Sequence, residues 1–516
     1  MPISLPLLLT FAFFLLLLGI AAWGMRHTSN VSDFFLGGGT LGPWILSISY
    51  GAAYFSAVIF VGFAGQFGWK FGLHALWVGI GNAIIGGGLA WLVLGRRTRR
   101  MTRNLNAMTM PEFFSARYET NGMKVIAALI IFTFLLPYTA SVFKGLAYLF
   151  EITLGTGISF EAMLTVITVV CFFYVTFGGY KAIARIDFLQ GAVMFVGSVL
   201  MAWVLISQFG GLREVLQGIP EKLAERMTSP ENENLRVVSP PWYLLPAVVF
   251  MTSFGVWGLP QMVHKFYAIS SEKEIVRGAI ITTIFALTIG GAAYLTGGMT
   301  HLMPVSETFP PIKGSGVDFD KLVPDLINAK LPQLLMSLIL LLVLSASMST
   351  LSSLVLVSAS AVTIDLYRGY VNPKADKRHE LRLMRSLCGV FIFFAYIIAM
   401  KQPSWIVTLM SLSWGSVAGA FLAPYIYGLF WRRTTKLGAY AGVWTGLLVS
   451  NGGYLYVRSV YGVEASQNLS PVIASAAIIL PFIAVPLVSL VTKPPRPETL
   501  ELAFRKETLN EQESAR

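Results

Sequence analysis

Residues 47–56 read Ser47-Ile48-Ser49-Tyr50-Gly51-Ala52-Ala53-Tyr54-Phe55-Ser56. They lie within 42–65, an apolar stretch long enough to cross a bilayer, for which about 20 residues suffice. Glycine and small polar residues interrupt it. A second stretch, 241–264, is interrupted in the same way at Thr252-Ser253-Phe254-Gly255-Val256-Trp257-Gly258-Leu259-Pro260. Paired interruptions at corresponding places in two halves point to an inverted-repeat transporter. Unwound backbone at membrane depth is tolerated only against protein or a wet cavity. There, freed carbonyls bind a cation and helix ends face an anion. The competing explanation is that the glycines merely let helices pack closely.

The whole chain fits a membrane setting. Of its 516 residues 55% are hydrophobic and 12% charged, against about 25% charged in a soluble domain. Apolar stretches at 3–24, 42–65, 74–95, 124–150, 158–178, 187–208, 241–264, 276–299, 332–364, 384–401, 404–430, 437–457 and 470–492 predict about thirteen transmembrane helices in an all-α polytopic fold. The first lacks a charged n-region and a small-residue cleavage site, so it is expected to be a span rather than a signal peptide. Residues 1–493 are expected to form one transmembrane domain, with core repeats at about 42–208 and 241–430, and 494–516 a short cytoplasmic tail. Longer loops are expected only at 209–240 and 300–331.

Charge sets the orientation. Of 38 Lys and Arg residues, 27 fall in one set of alternating loops, including Arg96, Arg97, Arg99, Arg100 and Arg103, the pair Lys181 and Arg185, Lys265, and the run from Arg368 to Arg385. Ten fall in the other. The positive-inside rule then places the N-terminus outside and the C-terminus in the cytoplasm of a cell (inner) membrane. The net charge of +12 thus calls for no nucleic-acid partner. The partners expected are the lipid bilayer and a small-molecule solute, with no protein partner implied. Cys171 and Cys388 both lie in apolar stretches and offer no disulfide framework.

Lys144 belongs to neither set of loops. It sits within a span, in PYTASVFKGLAYLFE, where an ammonium is costly. It is read either as a cation facing a solute cavity or as half of a structural pair with an acid such as Glu151. The ninth span carries Ser345-Ala346-Ser347-Met348-Ser349-Thr350-Leu351-Ser352-Ser353. Ser349 and Ser353 are one turn apart with Ser352 beside them, a row of neutral oxygens that suits a hard monovalent ion. Equally, such hydroxyls bond their own helix carbonyls or glue helices together. Asp187 is a cation ligand if it turns inward and a partner of Arg185 or Lys181 if it does not. Enzyme chemistry is not expected: H-E-x-x-H, G-x-S-x-G, Walker A and Cys/His metal clusters are all absent from the sequence.

Several motifs in order resemble the sodium:solute symporter family, from about Asp33 to Gly446. Asp33-Phe34-Phe35-Leu36 with Leu41-Gly42-Pro43-Trp44 is similar to the family's entry to span two, and Thr109-Met110-Pro111-Glu112-Phe113 to its motif before span four. Tyr174 through Ala182, ending in GGYKA, resembles one family signature; Gly428-Leu429, Arg433, Gly438-Ala439 and Gly442 through Gly446 resemble a second. The resemblance implies an inverted-repeat, leucine-transporter-type core and sodium as the coupling ion. Carried residue by residue, it implies a sodium site of the Ala52, Phe55 and Ala346 carbonyls with the Ser349 and Thr350 side chains. A second sodium position of some members maps to Asp187, Ser349, Ser352 and Ser353.

The resemblance also bears on the solute. Val58 and Ile59 stand where sugar carriers place polar groups, which speaks against a sugar. Tyr138 matches an aromatic of proline carriers, whereas Thr252 and Val256 replace aromatics those carriers have in span seven. Lys144 favours a carboxylate-bearing solute: an amino acid such as proline, pantothenate or a short monocarboxylate. Tyr54, Ser56, Tyr138, Lys144 and Trp257, with Phe55, are the expected solute contacts. The expected function is sodium-coupled symport into the cell; the alternative is a membrane sensor or channel-like module on the same scaffold, for which the tail after Lys493 is too short to add a signalling domain.

Overall fold

In hydrocarbon every backbone N–H and C=O must find its partner within the chain, and helices achieve this segment by segment. The computed structural model describes residues 5–26, 43–154, 158–228, 237–269, 271–306, 309–313 and 316–505, with backbone alone at 23–26, 43, 179–182, 184–185 and 313. The motif residues Asp33–Leu36, Leu41 and Gly42 lie outside these, as do the side chains of Lys181 and Arg185. The described residues are helical apart from loops and one two-residue antiparallel ladder, Ile312–Lys313 with Gly316–Val317.

Ten described helices are long and apolar enough to cross a membrane, and the bent pair Leu244–Gly258 and Pro260–Tyr267 makes eleven, against the thirteen expected. The difference arises where helix runs on through an expected boundary. Val58–Asn104 joins the end of the second expected span to the third, and Lys436–Val491 joins the last two. Positive φ values at Gly72 (+54°) and Gly462 (+88°), open to glycine because it lacks a Cβ, turn the chain within these two runs. Helix Phe160–Gln208 likewise continues through 179–186, where a turn is expected. The two long loops also gain structure, with helices Leu212–Thr228 and Phe319–Lys330.

Burial sorts the helices into centre and periphery. Ile406–Phe430 is 94% buried along its membrane stretch and Gln333–Val371 78%, whereas Leu5–Ala22 is 28% and Lys377–Lys401 33%. The peripheral helices expose large apolar side chains, among them Leu8, Phe11, Trp203, Ile280, Phe393 and Leu487. Such surface belongs in lipid rather than water. At the centre, glycine allows backbone to touch backbone. A Cβ on Gly68 or on Gly297 would collide with the backbone of the helix opposite, so Ala64–Phe71 and Glu274–Met299 are held together by having no side chain there.

Candidate functional site

Helix Pro43–Tyr54 stops at the first interruption, and helical winding resumes only beyond Phe55 and Ser56. The helix Gln333–Ser360 runs alongside and takes up the freed groups. The Ala57 amide donates to Ser347 Oγ at 2.9 Å. Thr350 Oγ1 lies 3.1 Å from the Ala53 carbonyl, 3.2 Å from that of Phe55 and 3.1 Å from that of Ala346. A threonine hydroxyl has one hydrogen to give, so at any instant most of these carbonyls lack it. Ser349 Oγ adjoins, donating to the Ala346 carbonyl at 3.3 Å.

The result is a buried, neutral, oxygen-only cluster. Carbonyl and hydroxyl oxygens of this kind replace the hydration shell of a hard monovalent cation, so the residues present fit sodium. Of the expected set, Phe55, Ala346, Ser349 and Thr350 come together. Ala52 is buried in the last helical turn before the break, and its neighbour Ala53 supplies the carbonyl that reaches Thr350. Sequence reasoning missed Ala53 because which carbonyl points at the neighbouring helix depends on how the break unwinds.

The second interruption faces the first. Helix Leu244–Phe254 passes into a tight turn, Gly255–Gly258, and restarts as Pro260–Tyr267 with a bend of 48°. Pro260 is suited to the first turn of the new helix, where its missing N–H has no partner to lose. The Tyr54 hydroxyl donates to the Thr252 carbonyl at 2.6 Å, tying the two broken helices together. Trp257, in the turn itself, donates its indole N–H to the Ile85 carbonyl at 3.0 Å. Ser56 is fully buried beside the first break. The Tyr138 ring stands edge-on to Trp414, with centroids 5.9 Å apart. Trp414 is in the most buried helix, which also carries Thr408, Ser411 and Ser413; all four have buried polar atoms with no protein partner. Buried polar groups are normally bonded, so these four leave polar capacity on the helix that carries Trp414, next to Tyr138. Nothing local in the sequence distinguishes them from other hydroxyls in a span.

Residues 34–446 match the sodium:solute symporter family. The chain belongs to that family. It is therefore a membrane transporter and not an enzyme. The sodium/proline symporter of Escherichia coli (strain K12) is 29% identical over 465 residues, covering 87% of this chain and 88% of that one. Sodium/proline symporter 2 of Staphylococcus saprophyticus is 30% identical over 444 residues, covering 85% and 83%. A sodium-coupled sialic acid symporter, solved substrate-bound and outward-open, has a similar fold, with a TM-score of 0.71 at 17% identity over 95% of this chain and 98% of that one.

Two ionisable residues of the transporter each follow one of the alternatives open in the sequence, with a partner the sequence did not indicate. Lys144 is fully buried, but its ammonium donates to Asp320 Oδ2 at 2.7 Å and to the Ser404 carbonyl at 2.8 Å. Asp320 belongs to the loop helix Phe319–Lys330 and also accepts from the Ile406 amide at 3.3 Å. The ammonium is thus engaged in a structural pair. Its acid is Asp320, while Glu151 lies beside Lys321 at 3.9 Å. Sequence reasoning placed Asp320 in a loop, from which no pairing across 176 positions is legible.

Asp187 does turn inward, and no part of it is exposed. Its Oδ2 accepts from the Ser49 hydroxyl at 2.6 Å and lies 3.5 Å from the Lys265 ammonium, which also donates to Ser49 at 2.8 Å. Lys265, expected in a loop, is 1% exposed. The residues expected to join Asp187 bond elsewhere: Ser352 donates to the Ser349 carbonyl at 2.9 Å, and Ser349 to that of Ala346. Ser353 is buried in the same helix.

Proposed function

We propose that the chain is a sodium-coupled importer of a small carboxylate-bearing solute, with proline the first solute to test. One observation carries this reading: Thr350 gathers the carbonyls of Ala53, Phe55 and Ala346 at the point where the first helix breaks. Sodium would be held there by the Phe55 and Ala346 carbonyls with Ser349 and Thr350, and by the carbonyls of the last helical turn, Ala52 as expected from the sequence and Ala53 beside it. The solute would lie against Tyr54, Ser56, Tyr138 and Trp257, between the two breaks. The paired breaks favour core repeats at about 42–208 and 241–430, and the loop charges favour an outside N-terminus and a cytoplasmic C-terminus. The names of the Escherichia and Staphylococcus relatives favour proline, as does Tyr138.

In this mechanism sodium binding closes the gap left by the unwound backbone, and the solute completes the wall beside it. Moving one charge inward across 100 mV releases about 2.3 kcal/mol, enough for roughly fifty-fold accumulation when coupling is tight. The purified protein in proteoliposomes should take up radiolabelled proline only with an inward sodium gradient, and faster with the interior negative. Uptake that follows a proton gradient and ignores sodium would overturn the reading.

A further inference from the structure

The buried triad Asp187, Ser49 and Lys265 has no part in the site at the break, yet it joins three helices. Asp187 comes from Phe160–Gln208, Ser49 from the helix before the first break and Lys265 from the helix after the second. The charges balance: one carboxylate and one ammonium, with the Ser49 hydroxyl bonded to both. Helix Phe160–Gln208, which carries Asp187, packs against Gln333–Ser360, which carries the hydroxyl row of the ninth span. A second sodium at this row would need the Asp187 carboxylate as its only formal charge. That carboxylate already faces an ammonium, and a second cation would meet repulsion from Lys265 comparable to its attraction to Asp187, with little water to screen either.

We propose that Lys265 is a tethered cation that occupies the place of a second sodium at Asp187, so that the carrier binds one sodium and Lys265 sets that number. The proposal rests on the sodium-coupled reading above. It assigns Ser352 to helix bonding and leaves Ser349 to the site at the break. It also explains why a lysine lies buried on the helix that follows the second break: the ammonium supplies, without leaving, the charge that a second ion would otherwise bring.

The experiment is equilibrium binding of radiolabelled sodium to the full-length protein in detergent, which needs no solute. The unaltered protein should bind one sodium per chain without cooperativity. Lys265→Met should double the sodium bound at saturation, and the Lys265→Met, Asp187→Asn pair should return it to one. Lys265→Arg should keep one. Two sodium ions on the unaltered protein, or a Lys265→Met protein that elutes as a single folded species and still binds one, would overturn the proposal. Should Lys265→Met fail to fold, Lys265→Gln takes its place with the same expected doubling, and a folded Lys265→Gln protein that still binds one sodium overturns the proposal. No saturable sodium on the unaltered protein, and no change in Thr350→Ala, would instead sink the sodium-coupled reading itself.

Discussion

Thr350 and Lys144 show how differently two buried polar residues behave at the scale of a single side chain. Thr350 gathers three carbonyls at the first break, the arrangement on which the proposed ion site rests. Replacing it by alanine removes one ligand and leaves the helix sound, since alanine is the better helix former. One hydrogen-bonding group of this kind contributes about 1–1.5 kcal/mol, so Thr350→Ala should raise the sodium concentration for half-maximal uptake roughly tenfold, and Thr350→Ser should restore it. An unchanged sodium titration in Thr350→Ala would return the hydroxyl to a purely structural role. Lys144 is a different case. Removing one partner of a buried pair costs about 3–5 kcal/mol because the other charge is stranded. Lys144→Met should therefore lower the melting temperature in detergent, and Lys144→Met with Asp320→Asn should recover most of the loss. If the double variant stays fully stable yet no longer takes up an anionic solute, the ammonium serves the solute as well as the fold.

At the scale of helices, the decisive feature is where side chains are missing. The helix Glu274–Met299 contains Gly297, against which the backbone of Ala64–Phe71 rests, and Gly291, which has open space around it. Gly297→Val should abolish the folded carrier, read as loss of the monodisperse peak on size-exclusion chromatography. Gly291→Ala should be tolerated, with a gain of up to about 1 kcal/mol from helix propensity. Equal behaviour of the two variants would mean that the close approach is not what fixes this pair of helices. The same logic explains the breaks. Ser347 lends its hydroxyl to the Ala57 amide, so the backbone leaves helical form only where a neighbouring helix can satisfy it.

Across the whole molecule, on the proposed topology, the arginine-rich ends and the sparse ends lie on opposite sides of the bilayer. Lys401 and Arg432 flank the helix Ile406–Phe430, and both are exposed. In intact cells an impermeant maleimide should label Lys401→Cys and spare Arg432→Cys until the membrane is opened. Both native cysteines, Cys171 and Cys388, are buried and will contribute little background. The reverse labelling would invert the proposed orientation. The charged groups near the arginine-rich end also do more than mark a side. Arg117 donates to the Gly428 carbonyl at 2.9 Å and Arg97 to that of Leu429 at 3.4 Å, so two of these cations cap the end of helix Ile406–Phe430.

Composition and local pattern were enough to establish a polytopic helical protein, its family motifs, the two interrupted helices and the hydroxyl row. These are one-dimensional signals: apolar length for a span, glycine and proline for a break, hydroxyls one turn apart for a row of oxygens. The number of separate helices was not legible, because whether a helix stops or bends depends on what packs against it. Nor were the partners of the buried charges. Lys144 finds Asp320 across 176 positions, and Lys265 finds Asp187 across 78. Ala53 enters the candidate ion site through the way one helix unwinds against another. Each of these is a contact between residues far apart in the chain. In a medium that offers a charge or a carbonyl no water, only the folded arrangement decides which partner is within reach.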